Sequence, residues 1–221
     1  MTNFFKILLD YIYKQKCYFC GKSAENKVFC SSCFNSISFL SNKAISKILE
    51  KNLYCVSFYQ GNIKKLIKAV KYHNKKELAF YQAKIMFDFW QKIEEKKDFY
   101  TIIPVPIHKK RLKQRKYNHM DLVGKYLCEM TGYELNTSFI TRTKDTKPQY
   151  KLTKQEREEN LKDAFSLNLE QKPVAPILLI DDISTTGSTF LEIIKELKKN
   201  NIEDITCFVT AIPDKNSLYI D

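Results

Sequence analysis

Residues 177–189, Ile-Leu-Leu-Ile-Asp-Asp-Ile-Ser-Thr-Thr-Gly-Ser-Thr, constrain the fold of this chain more than any other segment. Four consecutive apolar residues, 177–180, read as a strand buried on both faces, as in a parallel sheet covered by helices. Asp181 and Asp182 stand at its C-terminal edge. Ser184, Thr185, Thr186, Gly187, Ser188 and Thr189 then make a hydroxyl-rich turn, and an apolar run at helical spacing follows. A strand edge that feeds a helix N-terminus is where open α/β sheets receive phosphorylated ligands. Backbone N–H groups converge there on an anion, and the helix dipole favours negative charge. Gly187 can adopt the positive φ that a tight anion nest needs. A carboxylate beside such a nest accepts hydrogen bonds from vicinal ribose hydroxyls. Together these features describe a site for a ribose 5-phosphate.

The string resembles the 5-phosphoribosyl-1-pyrophosphate (PRPP) motif of type I phosphoribosyltransferases. That resemblance implies Asp181 and Asp182 on the ribose hydroxyls and the 184–189 loop around the 5′-phosphate. A Walker B strand would be the rival reading. It needs a Gly-x-x-x-x-Gly-Lys-[Ser/Thr] loop elsewhere. Gly21-Lys22-Ser23 is the only Gly-Lys-Ser in the chain, Lys16 stands where the first glycine should be, and the triplet lies inside a cysteine cluster.

That cluster is Cys17-x2-Cys20-x9-Cys30-x2-Cys33. Two Cys-x2-Cys turns supply the four soft ligands of a tetrahedral Zn²⁺ site. Four protein ligands leave no open position, so the zinc reads as structural. Cys55, Cys128 and Cys207 are scattered among apolar residues and read as core. The start of the chain, an apolar run broken by Lys6 and Asp10, is too short for a signal sequence or a membrane span. A reducing, cytoplasmic setting with metal rather than disulfides is the expectation.

The chain has 221 residues and a formal net charge of +12, which points to an anionic partner. Lys, Asn, Ile, Phe and Tyr are all heavily used, so part of the lysine excess follows a general compositional bias. Arginine is more selective. The chain has only Arg111, Arg115, Arg142 and Arg157. All four fall in one stretch, and the bidentate guanidinium suits phosphate.

Along the chain, residues 3–16 read as an amphipathic helix with Phe4, Leu8, Tyr11 and Ile12 on one face. The knuckle spans about 17–33, and a polar, helical connector runs to about 50. A strand, 53–59, opens the second module. The next helix carries Ile63, Leu66, Ile67 and Val70 on one stripe and Lys64, Lys68, Lys71 and Lys75 on another. A long helix over 77–96 buries Ile85, Met86, Phe89, Trp90 and Ile93. A strand over 100–106 stops at its prolines. The basic segment 108–119 follows, with Arg111 and Arg115 on one helix face, suited to a polyanion. The three histidines lack metal spacing. A helix over 120–130 and a strand near 137–141 come next. The polar stretch 142–160 reads as a mobile lid or hood. Strand character returns at 164–169, then at 177–180, then, after a helix over 188–199, at 205–212. The order fits a parallel α/β sheet flanked by helices. Two modules result: 1–50, the helix and cysteine module, and 51–221, the sheet domain.

Several of these segments resemble one family, the ComF competence and DNA-utilisation proteins. The segments are the four-cysteine knuckle, Ile103-Pro104-Val105-Pro106, the Arg111/Arg115 segment to Asn118, Arg142…Pro148-Gln149…Arg157…Asn160…Ala164-Phe165, and Asp181-Asp182…Thr189. The family usually reads Arg-Gly-Phe/Tyr-Asn-Gln where this chain has Arg115-Lys116-Tyr117-Asn118-His119. The resemblance implies a type I phosphoribosyltransferase-like sheet with a small N-terminal zinc-binding module. It also implies a cytoplasmic protein that binds single-stranded DNA and PRPP during natural transformation, with no membrane span. A competence helicase/translocase and a DNA-loading protein would be its partners, and through them it would lie peripheral to the inner membrane. Lys71, Val105, Arg111 and Arg115 are the expected pyrophosphate contacts, with Mg²⁺ accompanying PRPP. Lys64, Lys68, Lys75, Arg142 and Arg157 are the DNA candidates. The alternative is an active phosphoribosyltransferase with an acceptor that the sequence does not name.

Overall fold

The computed structural model describes residues 16–24, 28–145 and 154–213. Residues 3–15 of the expected first helix and the Pro148-Gln149 part of the hood lie outside these residues, and Lys16, its expected last residue, forms a β-bridge with Ser23.

A six-stranded sheet forms the centre. After a short helix α1 (Ser31–Asn35), the chain enters a hairpin of β1 (Ser46–Ile48) and β2 (Lys51–Phe58). The turn places Leu49 and Glu50 at φ 45° and 69°, the double left-handed geometry that matches strand twist. The connector expected to be helical up to residue 50 therefore ends as an edge strand, because Ser46–Ile48 finds a ladder partner in β2. Two helices follow, α2 (Gly61–Tyr72) and α3 (Leu78–Trp90), then β3 (Thr101–Pro104). The chain continues through α4 (Lys109–Arg115), α5 (His119–Thr131) and β4 (Glu134–Leu135). A second, two-stranded sheet pairs β5 (Ile140–Arg142) with β6 (Phe165–Leu167), and α6 (Lys154–Leu161) lies between them in sequence. The stretch read as a lid thus contains a strand end and a helix. Strand β7 (Ile177–Ile183), helix α7 (Ser188–Lys199) and strand β8 (Ile205–Ile212) complete the chain.

The main sheet has the order β1-β2-β8-β7-β3-β4, and every pair except β1–β2 is parallel. The chain leaves β3 towards β4 on one side and leaves β7 towards β8 on the other. The C-terminal ends of β3 and β7 therefore flank a topological switch point, where open α/β sheets form their binding crevice.

Period-2 alternation along β7 sorts its side chains between two cores. Leu178 and Ile180 pack with α2, α3 and α5, and with Cys17, Ala24, Phe29 and Cys33 of the knuckle. Ile177 and Leu179 pack with Phe190, Ile193, Ile194 and Leu197 of α7 and with Phe139, Leu161 and Phe165 of the small sheet region. Close approach is enforced at Gly124 on α5, where an added Cβ would lie 2.9 Å from Leu135 Cδ1 and 3.2 Å from Pro104 Cγ. That contact seats α5 directly on the end of β3.

Candidate functional site

The alternation that sorts the core also separates the two acids. Asp182 is in phase with Leu178 and Ile180 and faces α2 and α5. Asp181 is in phase with Ile177 and Leu179 and faces the other side.

Asp182 sits at the centre of a buried charge network. Its Oδ2 accepts from Lys71 Nζ at 2.5 Å and lies 2.7 Å from His119 Nε2. The Asp182 and His119 side chains are each 4% exposed, that of Lys71 20%. Burial alone would raise the Asp182 carboxyl, but the Lys71 ammonium and the His119 ring outweigh it and hold the group far below the usual carboxylate range. Burial lowers His119 below its ordinary value against the pull of Asp182. The ring is therefore neutral, and against an ionised Asp182 the proton belongs on Nε2. Its Nδ1 is buried with no hydrogen-bond partner among the described residues. Burial would also lower Lys71, yet Asp182 and Asp181 raise it, so the ion pair is charged at neutral pH.

Asp181 lines the crevice with Ile183, Ser184, Thr185, Thr186, Gly187, Ser188, Thr189 and Phe190. Its Oδ1 accepts from the Asp182 N–H at 2.8 Å. Burial pushes it up to about 8, the charge of Asp182 adds to the effect, and Lys71 opposes it. A carboxyl raised in the folded state contributes stability that is complete below its unfolded pKa of roughly 4 and is lost as pH rises to the folded value. Asp181→Asn should therefore melt above wild type at pH 8, by roughly 1–2 kcal/mol, and lose that advantage near pH 4. Thermal melts of the two proteins across that range check it; parallel curves would exclude the effect.

The loop itself is built around Gly187, at φ 74°, which caps α7 in the left-handed conformation. An added Cβ there would meet Ile48 Cδ1 at 3.0 Å, so glycine is needed for both conformation and space. Thr186 Oγ1 and Ser188 Oγ are 2.6 Å apart, and the Ser184 N–H is tied to Ala211 O at 3.1 Å. The loop is thus anchored to β8 and opens onto the N-terminus of a twelve-residue helix.

The other expected contacts fall in different surroundings. Val105 is buried, and its N–H donates to Ile180 O, so it extends the ladder. Lys71, read as one of a stripe of lysines, turns inward to Asp182, while Lys64 and Lys68 are exposed. Arg111 and Arg115 both lie on α4. Arg115 stands 5.0 Å from the ring centroid of Tyr72 on α2, whereas Arg111 acts electrostatically on Arg142. Arg142 is 7% exposed with its guanidinium over Phe165, not on the outer surface expected of a DNA contact. Burial first, and then Arg111, lower it to about 10, while Asp181 raises it. Arg157 falls on α6. The sequence alone gives His119 no role. Its only signal there is that it stands where the family has Gln. The other departure, Lys116, adopts φ 64° at the end of α4, the left-handed position that a glycine would take without strain.

The four-cysteine cluster has the geometry of a metal centre. The sulfurs of Cys17, Cys20, Cys30 and Cys33 all lie within 4.8 Å of one another. Cys20 Sγ and Cys30 Sγ are 3.8 Å apart, the edge of a tetrahedron whose centre is about 2.3 Å from each sulfur. Burial would raise Cys17, but backbone N–H groups of Cys30, Cys20 and Phe19 bring it down to about 6. Burial and the neighbouring sulfurs push Cys33 up to about 12. The four side chains together offer one cation a full tetrahedral ligand set, and the residues fit Zn²⁺.

Comparison with known proteins comes to the same group as the motifs. No family model matches the chain. Competence protein F of Haemophilus influenzae is 27% identical over 198 residues, which cover 86% of this chain and 86% of that protein. The chain is a relative of competence protein F. The DNA utilization protein YhgH of Salmonella typhimurium is 29% identical over 153 residues, 68% of this chain and 67% of that protein. Among solved structures, adenine phosphoribosyltransferase from Leishmania tarentolae is similar at a TM-score of 0.38 and 9% identity, over 67% of this chain and 75% of that one, too loose a likeness to build on. Among the described residues no helix is long and apolar enough to cross a membrane.

Proposed function

We propose that the chain binds PRPP, with Mg²⁺, in the crevice at the ends of β3 and β7, and handles single-stranded DNA on the cytoplasmic side of natural transformation. One observation carries the reading: a left-handed glycine opens α7 immediately beyond an acid-tipped strand at the switch point of the sheet. The 5′-phosphate would sit on the 184–189 loop. Asp181 would take a ribose hydroxyl directly, and Asp182 could do so only in competition with Lys71 and His119. The role in DNA import rests on the names of the relatives, competence protein F and the DNA utilization protein. A competence helicase/translocase and a DNA-loading protein are the partners this role calls for. The cysteine cluster would hold structural Zn²⁺ and stay outside the chemistry.

Calorimetric titration with PRPP, with and without Mg²⁺, tests the reading. Wild type should bind, and Asp181→Asn should bind at least tenfold more weakly, a loss of about 1.4 kcal/mol. This variant should fold at least as well as wild type, so weak binding would not reflect unfolding. An absence of heat from wild type at millimolar PRPP would end the proposal. Pyrophosphate released from PRPP in the presence of a nucleobase would move the assignment to an active phosphoribosyltransferase.

A further inference from the structure

DNA handling needs a surface, and the stripe of lysines along α2 does not supply an unbroken one, because Lys71 turns inward to Asp182. A different arrangement gathers around the last turn of that helix. Tyr72, on the helix itself, is 60% exposed. Tyr18, from the cysteine knuckle, is 37% exposed, and its hydroxyl lies 2.7 Å from His73 Nδ1. Tyr117, between α4 and α5, donates its hydroxyl to Val70 O at 2.7 Å. Three separate parts of the chain thus bring rings to one place.

Each ring has a cation against it. Arg115 is 5.0 Å from the Tyr72 centroid, Lys75 5.9 Å from Tyr18, and Lys76 4.6 Å from Tyr117. Tyr18 and Tyr72 are exposed and Tyr117 is half-buried, and rings open to solvent hold such cations weakly. A nucleobase can therefore take a ring face while the displaced cation turns to a neighbouring phosphate, where its hydrogen bond is stronger. Aromatic faces that accept any base, beside cations that follow the backbone, are how single strands are held without sequence preference. A protein partner fits less well, because protein interfaces are depleted in lysine. The hydroxyl contacts of Tyr18 and Tyr117 hold two of the rings in place before any ligand arrives.

We propose that Tyr18, Tyr72 and Tyr117, with Lys75, Lys76 and Arg115, form the stacking surface for a single strand of nucleic acid across the C-terminal end of α2. The inference rests on the strand-binding part of the proposed function and gives it a location at the end of α2, beside Lys71, whose Nζ lies 6.0 Å from the Tyr72 centroid and pairs with Asp182.

The test is fluorescence anisotropy with a labelled single strand of about 15 bases, within the span such sites cover. Tyr72→Ala should weaken binding about tenfold, and adding Tyr18→Ala should weaken it further. Tyr72→Phe should stay within about twofold of wild type, because the ring and not the hydroxyl does the stacking. Neither Tyr72 variant should alter the dependence of affinity on salt, whereas Lys75→Ala should reduce that slope by about one. Melting curves of each variant separate lost binding from lost folding. If wild type binds no strand, the strand-binding reading itself fails. If wild type binds and the double tyrosine variant, still folded, binds equally well, the surface lies elsewhere and this inference is overturned. A duplex competing as well as the single strand would also overturn it, since stacking needs unpaired bases.

Discussion

Protein prepared with zinc is expected to carry one ion per chain, and stripping that ion should lower the melting temperature by roughly 10–20 °C. The size follows from where the knuckle is attached. Phe29 is 1% exposed and Cys17 2%, and both belong to the same apolar core as α2, α3 and the sheet. Phe29 stacks against Phe19 at 4.1 Å and meets Tyr81 of α3 at 5.5 Å. Without a cation the four sulfurs lose what holds them together, so that part of the core loosens. Binding free energy for such an ion is folding free energy, and a few kcal/mol of it spread over a chain of this size gives the stated shift. Cys20→Ser is the informative variant, because Cys20 is exposed and its replacement leaves no cavity. It should approach the metal-free protein in stability. Metal analysis, chelator-dependent melting and the thiolate absorption of a cobalt-substituted sample supply the measurements. A wild-type melt indifferent to a strong chelator would refute the expectation.

Asp182→Asn should cost about 3–5 kcal/mol at neutral pH, because it leaves the Lys71 ammonium partly buried without its counter-charge. The carboxylate serves two partners through one oxygen, so the substitution also deprives His119 of its acceptor. Lys71→Met in the same protein should recover a good part of the loss, since the pair is then replaced without a stranded charge. Denaturant titration of the single and double variants measures the coupling directly. A single variant within about 1 kcal/mol of wild type would show that the network is not structural. The pH dependence has a definite sign. Asp182 is lowered in the folded state, so its stabilisation is present above roughly pH 4 and disappears as pH falls below that. His119 is lowered as well, so its share is complete above roughly pH 6.5 and declines as pH falls through and below that value.

Much of this site was visible in the residues themselves. The apolar run 177–180 has no polar phase, which requires cover on both sheet faces, and helices provide it. Gly187 is where the chain needs a left-handed residue, and the two Cys-x2-Cys turns meet as their spacing demands. The connector before β2 differs from the expected helix because Ser46–Ile48 has no strand signal of its own; its conformation comes from pairing with β2. The lysine stripe on α2 was real as a helical period, but periodicity assigns a face and not a neighbour.

What the amino-acid order determined by itself was therefore local. It set the buried strand, the turn and helix start after it, the metal-binding spacing, and even the separation of Asp181 from Asp182, because adjacent strand residues point to opposite faces. Tertiary structure alone decided which groups those acids meet. Lys71 and His119 reach Asp182 from 111 and 63 residues away, and Tyr18 reaches the end of α2 across 55. Contacts at such separations follow from how helices seat on the sheet, as α5 does through Gly124, and no local pattern encodes that seating.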